Sequence, residues 1–266
     1  MDSLNNIGFY IPTYNRGIEK QKTFQQLPFY LRNRINFVVY KNEAKEFKKI
    51  GNVMVADCEI GIANKRQFVI DTAKEKYIFF MDDDCEFSIR KGKKLKKANR
   101  KEVGEMFLLL CKWLKTDKFG QVGISFRSIN FAIKEKYKEV QNVYSMFGFN
   151  RELFNSLGLK CNNSVFLEDM QITLGLISKG YKNRVSYEYA IHQVSGQDGG
   201  CSTYRTHKNQ KQSVLAVNKL FPKHTTIIRR TGKDDGWRDY DLRVKWREAY
   251  NQGVSLTTRK KKLSFL

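Results

Sequence analysis

The stretch Tyr77-Ile78-Phe79-Phe80-Met81-Asp82-Asp83-Asp84-Cys85-Glu86 decides the fold. Its first five residues are apolar, which predicts a short buried strand. Three aspartates follow directly, and clustered carboxylates repel one another and lose solvation when buried. A divalent cation such as Mg²⁺ or Mn²⁺ removes that cost, and ligands of open α/β sheets bind beyond the carboxyl ends of the strands. We therefore predict that Asp82, Asp83 and Asp84 form a metal and nucleotide site; the alternative is a solvated acidic turn.

The net charge indicates a polyanionic partner. Among 266 residues, 49 are Lys or Arg and 27 are Asp or Glu, so the formal net charge is +22. Such an excess favours nucleic acid first, and an acidic membrane surface or an acidic glycan after it. A generally basic, soluble surface is the alternative.

Three features bear on the compartment. No run of about 18 apolar residues occurs, so we expect no membrane span. Residues 1–6 lack the basic and apolar segments of a secretory signal. The five cysteines form no CxxC pair, which argues against a zinc site and against a disulfide framework. We expect a cytoplasmic protein, in the host cytoplasm if it is viral.

Further strands precede the aspartates and bring polar loops to the same place. Residues 7–11 predict a first strand, and the loop after it offers hydrogen bonds from Thr13, a stacking face from Tyr14 and a phosphate-binding fork from Arg16. Residues 35–40 and 53–56 predict two more strands. A helix predicted from Gly61 to about Lys76 carries Lys65 and Arg66 near its start, where phosphate binds; a solvated charged face is the alternative.

A block of cations follows the acidic stretch. We predict a flexible arm here, at the mouth of the site, that grips the phosphates of a polymeric acceptor; a solvated loop is the alternative. The cations of the block are Arg90, Lys91, Lys93, Lys94, Lys96, Lys97, Arg100 and Lys101.

The second half of the chain supplies a second group of acids. An amphipathic helix is predicted over residues 102–116, and a helix from Glu168 and Asp169 to a Gly180 cap. The two acids either favour the helix dipole or supply a general base. A strand over residues 184–191 ends at His192, which either packs or completes a metal shell. Helices are predicted over 206–221 and 237–252, and disorder over 259–262.

Four segments, in order, resemble family 2 glycosyltransferases of the GT-A fold. These are Ile11-Pro12-Thr13-Tyr14-Asn15-Arg16, Gly61-Ile62-Ala63-Asn64-Lys65-Arg66-Gln67, Tyr77 to Asp84 with its DxD motif, and Phe147-Gly148-Phe149-Asn150-Arg151 through Leu167-Glu168-Asp169. The resemblance covers residues 7 to about 182. It implies an α/β fold with a mixed, mostly parallel, Rossmann-like sheet flanked by helices, and here a basic helical extension at the C-terminus.

The resemblance also implies roles for individual residues. Asp169, with Glu168 beside it, would be the general base of an inverting transfer. Asp84, with Asp83 and His192, would hold Mn²⁺ or Mg²⁺. Because the second strand lacks the usual terminal aspartate, Asp57 would substitute for it at the donor base. The donor, a UDP-hexose, would contact Pro12, Thr13, Tyr14, Arg16, Asp57, Lys65, Arg66, Asp82 and Asp83.

The acceptor is predicted from the charge and from a narrower resemblance. A basic chain without membrane segments is similar to the phage TET-associated DNA glycosyltransferases, so we expect double-stranded DNA carrying 5-hydroxymethylpyrimidines. Arg238, Arg243 and Lys245 would join the cationic block in binding it. A glycan or protein acceptor, and a non-enzymatic nucleic-acid-binding protein, are the alternatives.

The predicted organisation has three parts. Residues 1–205 form the catalytic domain, with a donor half of about 1–88 and an acceptor half of about 120–205. Residues 206–256 form the basic helical extension, and residues 257–266 a basic tail.

Overall fold

The computed structural model describes residues 4–193, 198–230 and 239–263. Its strands are β1 Ile7–Pro12, β2 Ile35–Val39, β3 Asn52–Val55, β4 Tyr77–Met81, β5 Glu86–Lys91, β6 Lys94–Lys97, β7 Gln121–Phe126, β8 Tyr137–Glu139, β9 Met146–Asn150, β10 Asn183–His192, β11 Thr225–Arg229 and β12 Tyr240–Val244. Its helices are α1 Lys22–Gln26, α2 Phe29–Arg32, α3 Ala44–Phe47, α4 Ile62–Thr72, α5 Arg100–Lys115, α6 Arg127–Asn130, α7 Arg151–Ser156, α8 Glu168–Ser178, α9 His207–Leu220 and α10 Trp246–Leu263.

The central sheet has the strand order β3-β2-β1-β4-β9-β7-β10-β5-β6, and β8 pairs with β10. Strands β1 to β4 are mutually parallel, and β10 is parallel to β7. Strand β9 runs antiparallel between β4 and β7, so β7 and β10 point the same way as β1 to β4. The carboxyl ends of these six strands therefore lie along one edge, where a doubly wound sheet binds its ligands. The predicted mixed, mostly parallel α/β sheet is confirmed.

Strand β4 is buried on both faces, as its apolar run predicts. Phe79 stacks on Phe9 at 5.5 Å between ring centroids, in the layer covered by α5. Phe80 points to the other layer, where it packs against Phe147 and Phe149, each at 6.0 Å. A strand fixed from both sides holds the residues that follow it at a defined place.

The cationic block forms a β-hairpin from Arg90 to Lys97 and the start of α5 at Arg100 and Lys101, so the predicted flexible arm is wrong. Strand β5 pairs with both β10 and β6, and Gly92 has a φ of +62° in the two-residue turn between Lys91 and Lys94. Gly is the residue that a type II′ hairpin turn requires at its first central position. Because β5 runs antiparallel to β10, the turn lies five residues, or about 17 Å, from Glu86 and points away from the aspartates. The turn end of the block, with Lys93 and Lys94, therefore does not lie at the mouth of the site as predicted, whereas β6 returns toward Glu86 and pairs Lys97 with Ser88.

The C-terminal region differs from its prediction as well. Tyr240, Leu242 and Val244 lie in β12, which pairs with β11, although residues 237–252 were predicted as one helix. These three residues alternate with polar ones, a period of two that indicates a strand. Helix α10 begins only at Trp246 and continues to Leu263, and the disorder expected over residues 259–262 stays a prediction. The extension packs on α8 through a cluster that includes Leu174, Ile177 and Ala249.

Candidate active site

The three aspartates lie in a turn directly after β4 that is fixed by its neighbours. Thr23, in α1, donates its hydroxyl to the Asp82 carbonyl and its amide to the Asp83 carbonyl at 3.1 Å. From the other side, the Asp82 amide donates to the Ser145 carbonyl at 2.8 Å. The carboxylates are thus placed by main-chain contacts that do not depend on their charges.

Asp83 points toward the loop after β1. Its Oδ2 accepts a hydrogen bond from Thr13 Oγ1 at 2.5 Å, and its Oδ1 is ion-paired with Arg16, whose Nη1 also lies 3.1 Å from Asp84 Oδ2. Gln21 donates to Thr13 Oγ1 and to the Arg16 carbonyl, which holds this loop in place. Burial raises the pKa of Asp83 to about 7, against the opposing effect of Arg16.

Asp82 and Asp84 point together to one position. Gln193 Nε2 donates to Asp82 Oδ2 at 3.0 Å and to Asp84 Oδ1 at 2.6 Å, so one donor satisfies an oxygen of each acid. Burial, followed by the charge of Asp82, raises the pKa of Asp84. Two converging carboxylates suit a hard divalent cation. Within the described ranges, however, no three His, Cys, Asp or Glu side chains are placed to hold a metal ion.

Arg66 joins the aspartates to the second group of acids. It is 1% exposed, and its guanidinium lies 5.3 Å from the centroid of the Phe80 ring and 5.2 Å from that of Phe147. Its Nη2 is 2.5 Å from Asp82 Oδ1 and its Nη1 is 2.9 Å from Glu168 Oε1. Although burial disfavours the cation, the two carboxylates raise the pKa of Arg66. One buried cation therefore connects the end of β4 with the start of α8.

The Glu168–Asp169 pair begins α8 immediately after a left-handed residue. Leu167 has a φ of +67°, a conformation that costs a non-glycine residue on the order of 1 kcal/mol and that clusters at functional sites. Glu168 is buried, and burial raises its pKa. Asp169 is partly exposed; burial and then the neighbouring Glu168 raise its pKa to about 7. A carboxylate that titrates near neutral pH is suited to proton transfer.

A cluster of three tyrosines lies at the loop after β1, around Tyr14. Tyr14 lies edge-on to Tyr40 at 5.5 Å and 6.4 Å from Tyr204, whose hydroxyl accepts a hydrogen bond from the Ile62 amide. Lys65 Nζ lies 3.9 Å from the centroid of the Tyr40 ring and donates to the Thr13 carbonyl, and burial lowers its pKa to about 8. Pro12, the last residue of β1, is buried and pairs with Val38 of β2, so it fixes the start of this loop.

Asp57 lies apart from these residues. It lines a cavity of about 360 Å³ with Cys58, Glu59, Asn64, Gln67, Phe68, Asp71 and Asn162. The carboxylate that meets the Thr13 loop at the end of β2 is that of Glu43, which accepts a hydrogen bond from the Asn15 amide at 2.8 Å. Glu43 is thus the carboxylate in contact with this loop, and the role of Asp57 at the donor base stays a prediction.

His192 pairs with Glu86 in the β10–β5 ladder, and the side chain that reaches Asp82 and Asp84 from this strand end is that of Gln193. Sequence reasoning missed Gln193, Glu43, Gln21 and Tyr204. Only Gln193 had a sequence signal, since it follows the predicted strand end beside His192.

The residues predicted to bind nucleic acid fall into several groups. Arg90 turns inward and donates to the Asn130 and Ile133 carbonyls, so it holds the segment after β7. Lys91 is ion-paired with Glu102. Arg100 is exposed and donates to the Gln25 carbonyl at 3.4 Å. Exposed cations without such a described role are Lys93, Lys94, Lys96, Lys97, Lys101 and Arg243. Lys245 pairs with Glu248, and Arg238 lies outside the described residues.

Solved glycosyltransferase structures share the fold. GalNAc-T7 with UDP, GalNAc and Mn²⁺ matches with a TM-score of 0.52 and 14% identity, over 80% of this chain and 47% of that one. S. aureus TarS 1-349 with UDP-GlcNAc gives 0.53 and 11%, over 80% and 66%. The mannosyltransferase PcManGT from Pyrobaculum calidifontis with GDP-Man and Mn²⁺ gives 0.53 and 16%, over 82% and 64%. This chain thus spans about half to two thirds of these chains, and identities this low show the GT-A fold alone.

Sequence comparison identifies the family. No curated protein matches the chain. None of the helices in the described ranges is both long and apolar enough to cross a bilayer.

The model of the TET-associated glycosyltransferases matches residues 8–202, which include the aspartates, Arg66, the Glu168–Asp169 pair and Gln193. Because this match covers well over half of the chain, the protein belongs to the TET-associated glycosyltransferase family.

Proposed function

We propose that this protein transfers a sugar from a nucleotide-sugar donor to the hydroxyl of a 5-hydroxymethylpyrimidine in double-stranded DNA, with Mn²⁺ or Mg²⁺ bound. The observation that carries the proposal is the position of Arg66, which pairs with Asp82 at 2.5 Å and with Glu168 at 2.9 Å. Acids suited to the donor and an acid suited to the acceptor are thereby held close to one another, as a group transfer between two bound substrates requires.

The donor fits the side of the cleft formed by the loop after β1. Tyr14, Tyr40 and Tyr204 present aromatic rings on which a nucleobase can stack. Lys65 and Arg16 lie between these rings and the aspartates, where a diphosphate needs cations. The three solved structures hold UDP, UDP-GlcNAc or GDP-Man, which supports a nucleotide sugar, with a UDP-hexose as the first candidate.

Asp82 and Asp84 would hold the metal, since their oxygens converge on one position. When bound, the ion would stabilise the negative charge that develops on the departing diphosphate. Asp83 has both oxygens engaged by Thr13 and Arg16, so it holds the loop rather than the metal. The structures of GalNAc-T7 and PcManGT that contain Mn²⁺ support a metal in this fold.

Asp169 would be the general base. The bond between the sugar C1 and the phosphate oxygen breaks, a bond forms from C1 to the acceptor oxygen, and the acceptor proton passes to Asp169. Glu168 is tied to Arg66, so it orients the start of α8 and leaves the partly exposed Asp169 for the acceptor. Attack from the face opposite the leaving group inverts the anomeric carbon.

DNA is proposed as the acceptor on two grounds. The family is described as TET-associated, and TET-type oxidation produces hydroxymethylated pyrimidines. The net charge of +22 and the exposed lysines of the hairpin suit a phosphate backbone. The modified base must leave the duplex stack to reach the cleft, as in other enzymes that act on a base.

The test mixes the protein and Mn²⁺ with UDP-hexoses, UDP-N-acetylhexosamines or GDP-mannose and a duplex that carries one 5-hydroxymethylcytosine. Mass spectrometry of the DNA should show the addition of one sugar, which is lost when Asp169 is replaced by Asn. The same duplex with unmodified cytosine is the control, because it lacks the acceptor hydroxyl. Transfer of the sugar to a glycan or a protein, with no sugar added to the DNA, would contradict DNA as the acceptor. If the protein consumed none of the donors, the proposed glycosyltransferase activity itself would be contradicted.

A further inference from the structure

We infer that Gln193 is the third protein ligand of the metal and binds it through its side-chain carbonyl oxygen; this inference rests on the metal dependence in the proposed function. The described residues offer only two converging carboxylates at the site, those of Asp82 and Asp84. The third polar group at that position is the carboxamide of Gln193. Hard divalent cations accept amide oxygens as ligands beside carboxylates.

The spacing of the three groups suits an octahedral ion. Adjacent oxygens around Mg²⁺, with metal–oxygen distances of about 2.1 Å, lie about 3 Å apart. The terminal atom of Gln193 lies 2.6 Å from the Asp84 oxygen and 3.0 Å from the Asp82 oxygen. The carboxamide therefore already occupies the place of a neighbouring ligand.

The carboxamide can present either end to this position. With its Nε2 toward the acids, Gln193 Oε1 accepts a hydrogen bond from Ser145 Oγ at 2.8 Å. A half-turn about the terminal torsion, which is roughly two-fold, exchanges the oxygen and the nitrogen. Because a hydroxyl both donates and accepts, Ser145 can then accept from Nε2, and the hydrogen bond is kept. Gln193 thus donates hydrogen bonds to Asp82 and Asp84 without a metal ion, and its carbonyl oxygen coordinates the ion when one is bound.

The family resemblance favoured His192 for this place, so the two neighbours make distinct predictions. An imidazole ligand would give the metal a nitrogen neighbour, whereas Gln193 gives it oxygen only. The register that pairs His192 with Glu86 leaves Gln193 as the side chain in contact with the acids. A spectrum of the bound metal can therefore distinguish the two sets of ligands.

The experiment titrates Mn²⁺ into the full-length protein with UDP and follows free and bound Mn²⁺ by electron paramagnetic resonance. Gln193→Leu should weaken Mn²⁺ binding on the order of 10- to 100-fold, the range found when groups that support a metal are removed. His192→Ala should bind Mn²⁺ as the wild type does. Pulsed measurements on bound Mn²⁺ in the wild type should show no coupling to an imidazole nitrogen.

Gln193→Glu provides a second readout in case the Leu variant folds poorly. Three carboxylates repel one another without metal, so its melting temperature should fall below that of the wild type, and Mn²⁺ should raise it by more. Imidazole coupling in the wild type, or unchanged Mn²⁺ affinity in Gln193→Leu, would overturn the inference and leave the proposed function intact. A wild type that binds no Mn²⁺ with UDP would instead remove the metal dependence itself.

Discussion

Arg66 is the residue on which both sides of the site depend. Its guanidinium is buried and serves Asp82 and Glu168 together, and removal of one partner from a buried ionic group leaves the others without compensation. We expect Arg66→Met, which keeps the length and packing, to lower the free energy of unfolding by about 3–5 kcal/mol. Urea unfolding followed by tryptophan fluorescence measures this change.

A double variant tests the cause. Arg66→Met combined with Glu168→Gln removes the cation and one of its anions, so the pair should lose less stability than the sum of the single variants. Strict additivity would mean that Arg66 acts by packing against Phe80 and Phe147, and not as the link between the two groups of acids.

Asp169 makes a prediction about pH. Burial and the charge of Glu168 raise its pKa to about 7, and a general base acts only when it is deprotonated. We therefore expect kcat/KM for DNA to fall as the pH drops below about 7 and to level off above it. Asp169→Asn should lower kcat/KM by about 10²- to 10⁴-fold and abolish the acid limb. An acid limb that persists unchanged in this variant would assign the titration to another group.

At the scale of elements, the sequence predicted what local patterns determine. The apolar run predicted that β4 is buried. The order of the motifs predicted the mixed α/β sheet and the position of the aspartates directly after β4. The hairpin was missed because its charge was taken as a sign of mobility, although Phe87 and Ile89 pack on the core at an interval of two and Gly92 marks the turn. Strand β12 was missed because residues 237–252 were taken as one basic helix, although Tyr240, Leu242 and Val244 alternate with polar residues.

Pairings between distant elements could not be predicted. The ion pair of Arg66 with Glu168 joins residues that lie 102 positions apart, and it follows from the packing of α4 and α8 on one face of the sheet. Gln193 reaches the aspartates because β10 ends at the same edge as β4. No local period in the sequence encodes either pairing.

Strand β9 carries a prediction of its own, because it lies between β4 and β7 with a glycine at its centre. A Cβ added at Gly148 would lie 2.4 Å from the Phe79 ring, which is itself fixed between Phe9 and Phe107. Gly148→Ala should therefore cost about 1–3 kcal/mol of stability, as overpacking of a core does. Chemical denaturation gives the change, and adding Phe79→Leu should recover part of it. No recovery would place the strain elsewhere in β9.

For the whole molecule, the question is what the charge of +22 does. Strand β6 lies at the edge of the sheet, and its Lys94, Lys96 and Lys97 are exposed. Lysines on an edge strand can prevent pairing with another chain, and they can also bind DNA phosphates. The two roles differ in their dependence on salt, because each phosphate that a lysine neutralises releases counterions from DNA.

We expect DNA binding for this edge. Replacing the three lysines by Thr, which keeps β-propensity, should weaken binding to duplex DNA and lower the slope of log affinity against log salt by about 0.9 for each phosphate that the variant no longer neutralises. Fluorescence anisotropy between low and moderate NaCl measures the slope. A control variant with an equal loss of charge replaces three exposed lysines of α9 by Gln and should change the slope less, because it tests net charge alone. The control residues are Lys208, Lys211 and Lys219. If the Thr variant keeps the slope but self-associates in analytical ultracentrifugation, the lysines protect the sheet edge and the DNA lies on another face.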